Sequence, residues 1–285
     1  MTILCPTDFS HTAASACRLA VRIATDRNYQ VHIIHAYQPF RSAFQGQLNN
    51  EADESRARSE AQNEMDKFVR SLELGESKVS ITSSLSEGTL VRAINRYAEK
   101  ESVPLIVMGT EGAKGVAGSL TGSNSYYLAK DTPVPVLIVP EGYTPGGLRR
   151  AVFFTDYQPD DRVTLEAMKH VLGSHAISQC TLVHITRHQD SDEVANEEKK
   201  LLDWKLSLEE AVGIDSLQTR VVMDKEHVAT IENVLTQTQA DLTLITVVGG
   251  RGFFERLMKK SLARAIILNP KTPVLLVNQD SPEST

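Results

Sequence analysis

Two glycines end one apolar run and a third opens the next patterned stretch. Gly109 follows Leu105-Ile106-Val107-Met108, Gly112 comes three residues later, and after nine more residues Gly122-Ser123-Asn124-Ser125 opens a stretch of helical period. Each residue type has a physical use there. Gly109 and Gly112 lack a Cβ, so the backbone can turn sharply off a strand and let a ribose or phosphate come close. Gly122, Ser123 and Asn124 stand at a helix start, where free N–H groups and the helix dipole favour an anionic ligand. Glycines after a strand also serve an ordinary loop that needs positive φ, so they do not by themselves separate a turn from a cradle. Glu111 places an acid inside the loop, which repels an anionic ligand unless Lys114 or a divalent cation offsets it.

The elements that must position these residues are short apolar runs alternating with stretches of helical period, the pattern of an α/β domain with a parallel sheet. Strands are expected at Ile3–Cys5, Val31–Tyr37, Val79–Leu85, Leu105–Met108 and Val134–Val139. Ser10 is placed to cap a helix whose Ala13, Cys17, Ala20 and Ala24 line one face. A second helix is expected around Leu90–Lys100, with Val91, Ile94 and Ala98 inward. Pro39 to about Ser55 is polar and aperiodic and reads as a loop excursion before a helix carrying Met65, Phe68, Val69 and Leu72. Asp8, closing the first strand, falls on the same sheet edge as the glycines, where open α/β sheets bind ligands.

The second half repeats the first. Gln30 to His35 resembles Gln179 to His184, and Pro6-Thr7-Asp8-Phe9 is answered by Phe154-Thr155-Asp156-Tyr157. At an offset of 140, Leu105 to Gly109 faces Ile245 to Gly249, and Thr132-Pro133-Val134 faces Thr272-Pro273-Val274. A period of this length suits a duplicated domain and is too long for a solenoid repeat. The expected division is a first domain over 1–141, a turn-rich linker over 142–148, a second domain over 149–279 and a tail over 280–285.

Composition narrows the function classes. The 285 residues carry 30 basic and 36 acidic side chains, a net charge of −6, and no long basic run, so a dedicated nucleic-acid binder is not expected. The longest apolar runs fall far short of a bilayer span and no signal peptide opens the chain, so no membrane partner and a cytoplasmic location are expected. Cys5, Cys17 and Cys180 fit no metal spacing and read as buried reduced thiols. His32 and His35 are three apart on a strand and face opposite sides, so they read as packing histidines, as does His184. No metal site is expected from these residues.

Taken together, Gly-x2-Gly-x9-Gly-Ser after an apolar strand, an Asp closing the first strand, and Thr132-Pro133-Val134-Pro135-Val136 resemble the universal stress protein family. The resemblance covers the chain as two tandem copies. It implies two five-stranded parallel-sheet domains with helices on both faces, an adenine nucleotide alpha hydrolase-like α/β fold. In the ATP-binding branch it implies ATP, with or without Mg2+, held by the first copy. Carried over by position, Pro6, Thr7 and Asp8 would meet the adenine or its neighbourhood, Ala36 would line the base pocket, and Met108 and Gly109 would flank the ribose. Gly112, Gly122, Ser123, Asn124 and Ser125 would hold the phosphates. Single-domain members pair through the last strand, which implies an intramolecular pseudo-dimer through Val134–Val139 and Val274–Val277. A homodimer of chains and an unidentified protein partner are further expectations.

The second copy departs from the motif. Gly249 and Gly252 are present, but Leu262-Ala263 stand where Gly-Ser is expected and Ile185 replaces Ala36. The nucleotide is therefore assigned to the first copy alone. Arg251, Arg256, Lys259 and Lys260 in the same stretch read as a solvated helix face or as an anion site for an acidic partner. Asp8 and Asp156 have no sequence neighbour that supplies a nucleophile or acid, so no catalytic residue is assigned. The leading function is a nucleotide-responsive stress protein. Slow ATP hydrolysis or self-phosphorylation, and a nucleotide-free interaction scaffold, are the alternatives.

Overall fold

The computed structural model describes residues 1–39, 47–74, 78–110, 128–129, 131–144, 146–173, 176–188, 190–215, 217–223, 227–247, 266–267 and 269–278. In the first half they form β1 (Thr2–Pro6), α1 (His11–Arg27), β2 (Gln30–Tyr37), α2 (Gln47–Ser71), β3 (Ile81–Glu87), α3 (Leu90–Ala98), β4 (Ile106–Gly109) and β5 (Val136–Val139). The second half follows with β6 (Arg150–Phe154), α4 (Asp161–Leu172), β7 (Gln179–Thr186), α5 (Ser191–Val212), β8 (Leu217–Met223), α6 (His227–Thr238), β9 (Leu242–Val247) and β10 (Val274–Asn278).

Each half contributes five parallel strands, and the two sets join into one ten-stranded sheet of order β3-β2-β1-β4-β5-β10-β9-β6-β7-β8. The seam is the antiparallel pair β5 and β10, in which Leu137 lies opposite Leu275, Val136 opposite Leu276 and Ile138 opposite Val274. Both strands are buried on both faces, which removes the water that an apolar edge would otherwise meet. One apolar core lies under α1, α2, α4 and α5 and draws residues from both halves, and a second lies on the opposite face under α3 and α6.

Local chemistry accounts for the helix starts. Ser10 accepts the Ala13 N–H at 3.1 Å and begins α1, which ends at Asn28 in the left-handed region. The buried stripe of α1 includes Ala13, Cys17, Ala20 and Ala24 and is wide enough to take in Leu19 and Ile23. Three expected boundaries are corrected. Residues 47–55 are helical: α2 runs 25 residues, its polar first turns extending the half anchored by Met65, Phe68 and Leu72. The third strand starts at Ile81, not Val79, because pairing begins opposite Val31. The fifth starts at Val136, since Pro133 and Pro135 cannot donate to a ladder. In α3 the buried positions are Ala93 and Ile94, with Val91 partly buried beside them.

Candidate functional site

In each half the strand order reverses once. Going outward from β1, the chain lays β2 and β3 on one side and β4 and β5 on the other, so the crevice between the carboxyl ends of β1 and β4 is a topological switch point. Pro6 ends β1 and is buried with Thr7, whose hydroxyl accepts the Phe9 N–H at 2.9 Å. The His35 Nδ1–H donates to the Thr7 carbonyl at 2.7 Å, and its ring lies 4.2 Å from that of Phe9. This bracing holds Phe9 at φ +66°, a conformation costly for an aromatic residue without such support. Asp8 is thereby turned outward, exposed, with one carboxylate oxygen accepting the Ser10 N–H at 3.0 Å.

Ala36 and Gly109 come out half-buried on the same edge, at the ends of β2 and β4, while Met108 is buried beneath. Gly109 has a different reason from the one its type implies. A Cβ there would lie 2.7 Å from the Thr12 carbonyl carbon and 2.8 Å from the Ala13 nitrogen, so glycine is required by the close approach of the first turn of α1. Gly112, Gly122, Ser123, Asn124 and Ser125, with Glu111 and Lys114, lie outside the described residues, as do Arg251, Arg256, Lys259 and Lys260 of the anion site and Gly249, Gly252, Leu262 and Ala263.

His32 is placed as the strand periodicity requires, away from His35. Its ring nitrogens meet Thr82 Oγ1 at 2.7 Å and Ser84 Oγ at 2.8 Å, the ring stacks on Tyr97, and burial lowers its pKa. No cluster of metal-ligating side chains exists among the described residues. Cys5, Cys17 and Cys180 are buried free thiols.

The second half repeats the bracing of the first. Thr155 accepts the Tyr157 N–H at 2.9 Å, His184 donates to the Thr155 carbonyl at 3.0 Å, and Tyr157 takes φ +59°. Around this shared turn the chemistry diverges. Where Phe9 packs against Phe68, the Tyr157 hydroxyl donates to Glu197 Oε2 at 2.9 Å and Lys200 sits 4.0 Å above its ring. Burial and then the Glu197 carboxylate push the Tyr157 phenol up.

The seam also corrects the expected alignment of the halves. Val136 pairs with Ile106 and Val274 with Thr243, and the two-fold seam relates Val136 to Val274, so the counterpart of Gly109 is Thr246, three residues before Gly249. By the same register Pro273 corresponds to Pro135 and not to Pro133. Thr246 brings a hydroxyl to the place where the first half has bare backbone. It donates to Asp161 Oδ1 at 3.2 Å and shares a 2.8 Å hydrogen bond with Thr164. Asp161 also accepts the Trp204 indole N–H at 3.1 Å and the Thr155 hydroxyl. Asp161 is 2% exposed, and burial raises its pKa to about 6 against the hydrogen bonds that lower it. Asp161 thus ties the ends of β6 and β9 together across the second switch point. Asp156, the counterpart of Asp8, is left 83% exposed beside it. Nothing in the sequence singled out Asp161, since an acid at a helix start reads as an ordinary partner of the helix dipole.

Residues 1–140 match the family model described as the universal stress protein family. The chain is 31% identical over 139 residues to a universal stress protein of Methanocaldococcus jannaschii, covering 48% of this chain and 80% of that one. Over both halves it is similar in fold to a universal stress protein from Archaeoglobus fulgidus DSM 4304, with TM-score 0.67, 16% identity and 98% of each chain covered. A functionally unknown protein from Pseudomonas aeruginosa PAO1 aligns with TM-score 0.59 and 15% identity over 98% of this chain and 92% of that one.

Proposed function

Because the chain belongs to the universal stress protein family, we propose that its first half binds an adenine nucleotide and that the tandem pair acts as a nucleotide-responsive interaction module. The observation that carries this reading is the convergence of Asp8, Ala36 and Gly109 at the open carboxyl edge of β1, β2 and β4, astride the switch point. The donor set fits the base and ribose end of such a ligand. Asp8 is an exposed acceptor for an amino group or ribose hydroxyls, and Ala36 leaves room beside it for a flat base. Met108 and Gly109 would flank the ribose. The phosphates would be held by Gly112, Gly122, Ser123, Asn124 and Ser125, whose N–H groups and hydroxyls suit anions, and a Mg2+ ion would offset Glu111.

The second half supports the module differently. Its equivalent crevice is crossed by the Thr155, Asp161 and Thr246 hydrogen bonds, which favours a role in holding structure or a partner over a second nucleotide. Since β4 pairs with β5 and β5 with β10, whatever occupies the end of β4 is two strands away from the second half. Strand contact of this kind offers a direct route by which occupancy biases the pair.

Calorimetry with ATP, ADP and AMP, with and without magnesium, tests the reading, alongside mass spectrometry of small molecules released from gently purified protein. Heat is expected from the wild-type chain and is expected to vanish in Gly122→Val, whose branched side chain would stand against the phosphates. A folded wild-type chain giving no heat with any of the three nucleotides would leave the scaffold alternative.

A further inference from the structure

At the opposite, amino-terminal edge of the sheet, the two halves and the linker enclose a cleft of about 260 Å³. It is roughly 18 Å along α1 from Ser10, at 1.5 Å per residue, and so is separate from the nucleotide crevice. Leu19, Arg22, Ile23 and Asp26 face it from one stripe of α1, at the spacing of a single helix face. Gly146 to Arg149 form a second wall, and Leu172, Ala176 and Ser178 of the second half form the third. Leu19, Ile23, Leu148 and Leu172 are buried, so the floor is apolar.

The Arg149 backbone is anchored at this cleft. Its N–H donates to Asp241 Oδ1 at 2.8 Å and its carbonyl accepts the Ser178 N–H at 2.8 Å. The Arg149 side chain folds back over Gly147, its Nε 3.4 Å from where a Cβ there would stand, an ordinary contact distance. Close by, Arg27 crosses from α1 to donate to the His170 carbonyl at 3.0 Å, which fixes α1 against α4. The cleft lining therefore carries two arginines, Arg22 from α1 and Arg149 at the start of the second half, and one acid, Asp26, while the Asp241 carboxylate outside the lining is held by the Arg149 N–H. None of the three has an ion-pair partner among the described residues. Over the apolar floor the lining thus carries two cations against one acid, a formal charge of one positive unit.

We propose that this junction cleft binds a phosphate group, with Arg22 and Arg149 as its ligands. Guanidinium groups match the geometry of a tetrahedral oxyanion, and arginines on two walls of one cleft can hold it from two sides. Such a ligand would bridge α1, the linker and the second half, and so would tighten the junction on binding.

The test is calorimetry of the full chain with inorganic phosphate, repeated with a simple phosphate monoester to separate the free anion from a phosphorylated metabolite. Arg22→Gln, Arg149→Gln, the double variant and Asp26→Asn are compared, with circular dichroism to confirm folding. Losing one charged hydrogen-bond partner should weaken binding by at least about tenfold. The double variant should lose binding, and Asp26→Asn should tighten it by removing the opposing charge. Arg22 and Asp26 are exposed on α1, so these two arms stand even if Arg149→Gln proves unstable. Absence of phosphate heat in the wild type, heat retained in the double variant, or no tightening in Asp26→Asn overturns the proposal. Because the nucleotide loop is untouched by these variants, ATP binding should persist in all of them if both sites exist.

Discussion

The Thr246 hydroxyl donates to the Asp161 carboxylate at 3.2 Å and so links the end of β9 to the first residue of α4 across the second crevice. In the first half the corresponding strand residue is Gly109, and the first turn of α1 packs directly on its backbone. The duplicated folds therefore close the same junction in two ways, one by close packing and the other by a buried polar network.

Asp161 should make stability depend on pH. Its carboxyl is raised to about 6 in the folded chain, above the ordinary value of 3.8, so the native state binds the proton more tightly than the unfolded one. The contribution is fully present below the unfolded pKa and is lost as pH rises through about 6. It amounts to at most about 3 kcal/mol at 1.36 kcal/mol per unit. Denaturant melts between pH 4 and 7, followed by Trp204 fluorescence, should show this slope in the wild type and not in Asp161→Asn. Equal slopes would place the effect elsewhere.

Gly109→Ala should destabilise the first half by about 1–3 kcal/mol, because the new methyl meets backbone and not a movable side chain. Thermal melts check the size of the effect. A melt unchanged from wild type would mean that the first turn of α1 yields freely.

The seam predicts cooperation between the halves. Leu137 and Leu275 oppose each other at 0% and 1% exposure, and an Asp in either place buries an unpaired charge at a cost upwards of about 4 kcal/mol. The chain's one tryptophan, Trp204, belongs to the second half and donates to Asp161. In Leu137→Asp, a first-half change, the Trp204 transition should nevertheless move to lower denaturant. An unmoved transition would show that the second half stands alone.

Nucleotide stoichiometry should be one per chain, with the site in the first half. Calorimetric saturation at two equivalents in the Arg22→Gln, Arg149→Gln double variant, which lacks the junction cleft's ligands, would contradict the assignment, and Thr246→Ala should leave the stoichiometry unchanged.

Much of this was legible along the chain because the forces concerned are local. Alternating apolar runs mark the strands, Ser10 marks the start of α1, and the motif repeat Pro6-Thr7-Asp8-Phe9 with Phe154-Thr155-Asp156-Tyr157 marks the duplication; all depend on neighbours a few residues apart. The strand seam was also foreseeable, since two apolar edge strands on one chain meet a common need for pairing. The family membership rests on the same linear spacing.

Other features depended on distant partners that no linear pattern names. Aligning Gly109 with Gly249 matched residue types, whereas the hydrogen-bond register across β5 and β10 makes Thr246 its counterpart. The same tertiary packing decided that Gly109 is needed for the approach of α1, that Asp161 is buried beneath Trp204 and Thr246, and that Arg22 and Arg149 share one cleft. Residue type and spacing determine which segments become strands and helices, because those choices follow from local backbone and side-chain preferences. Which groups end up sharing a low-dielectric space is determined only when the two halves of the sheet join and helices from both halves settle on one face.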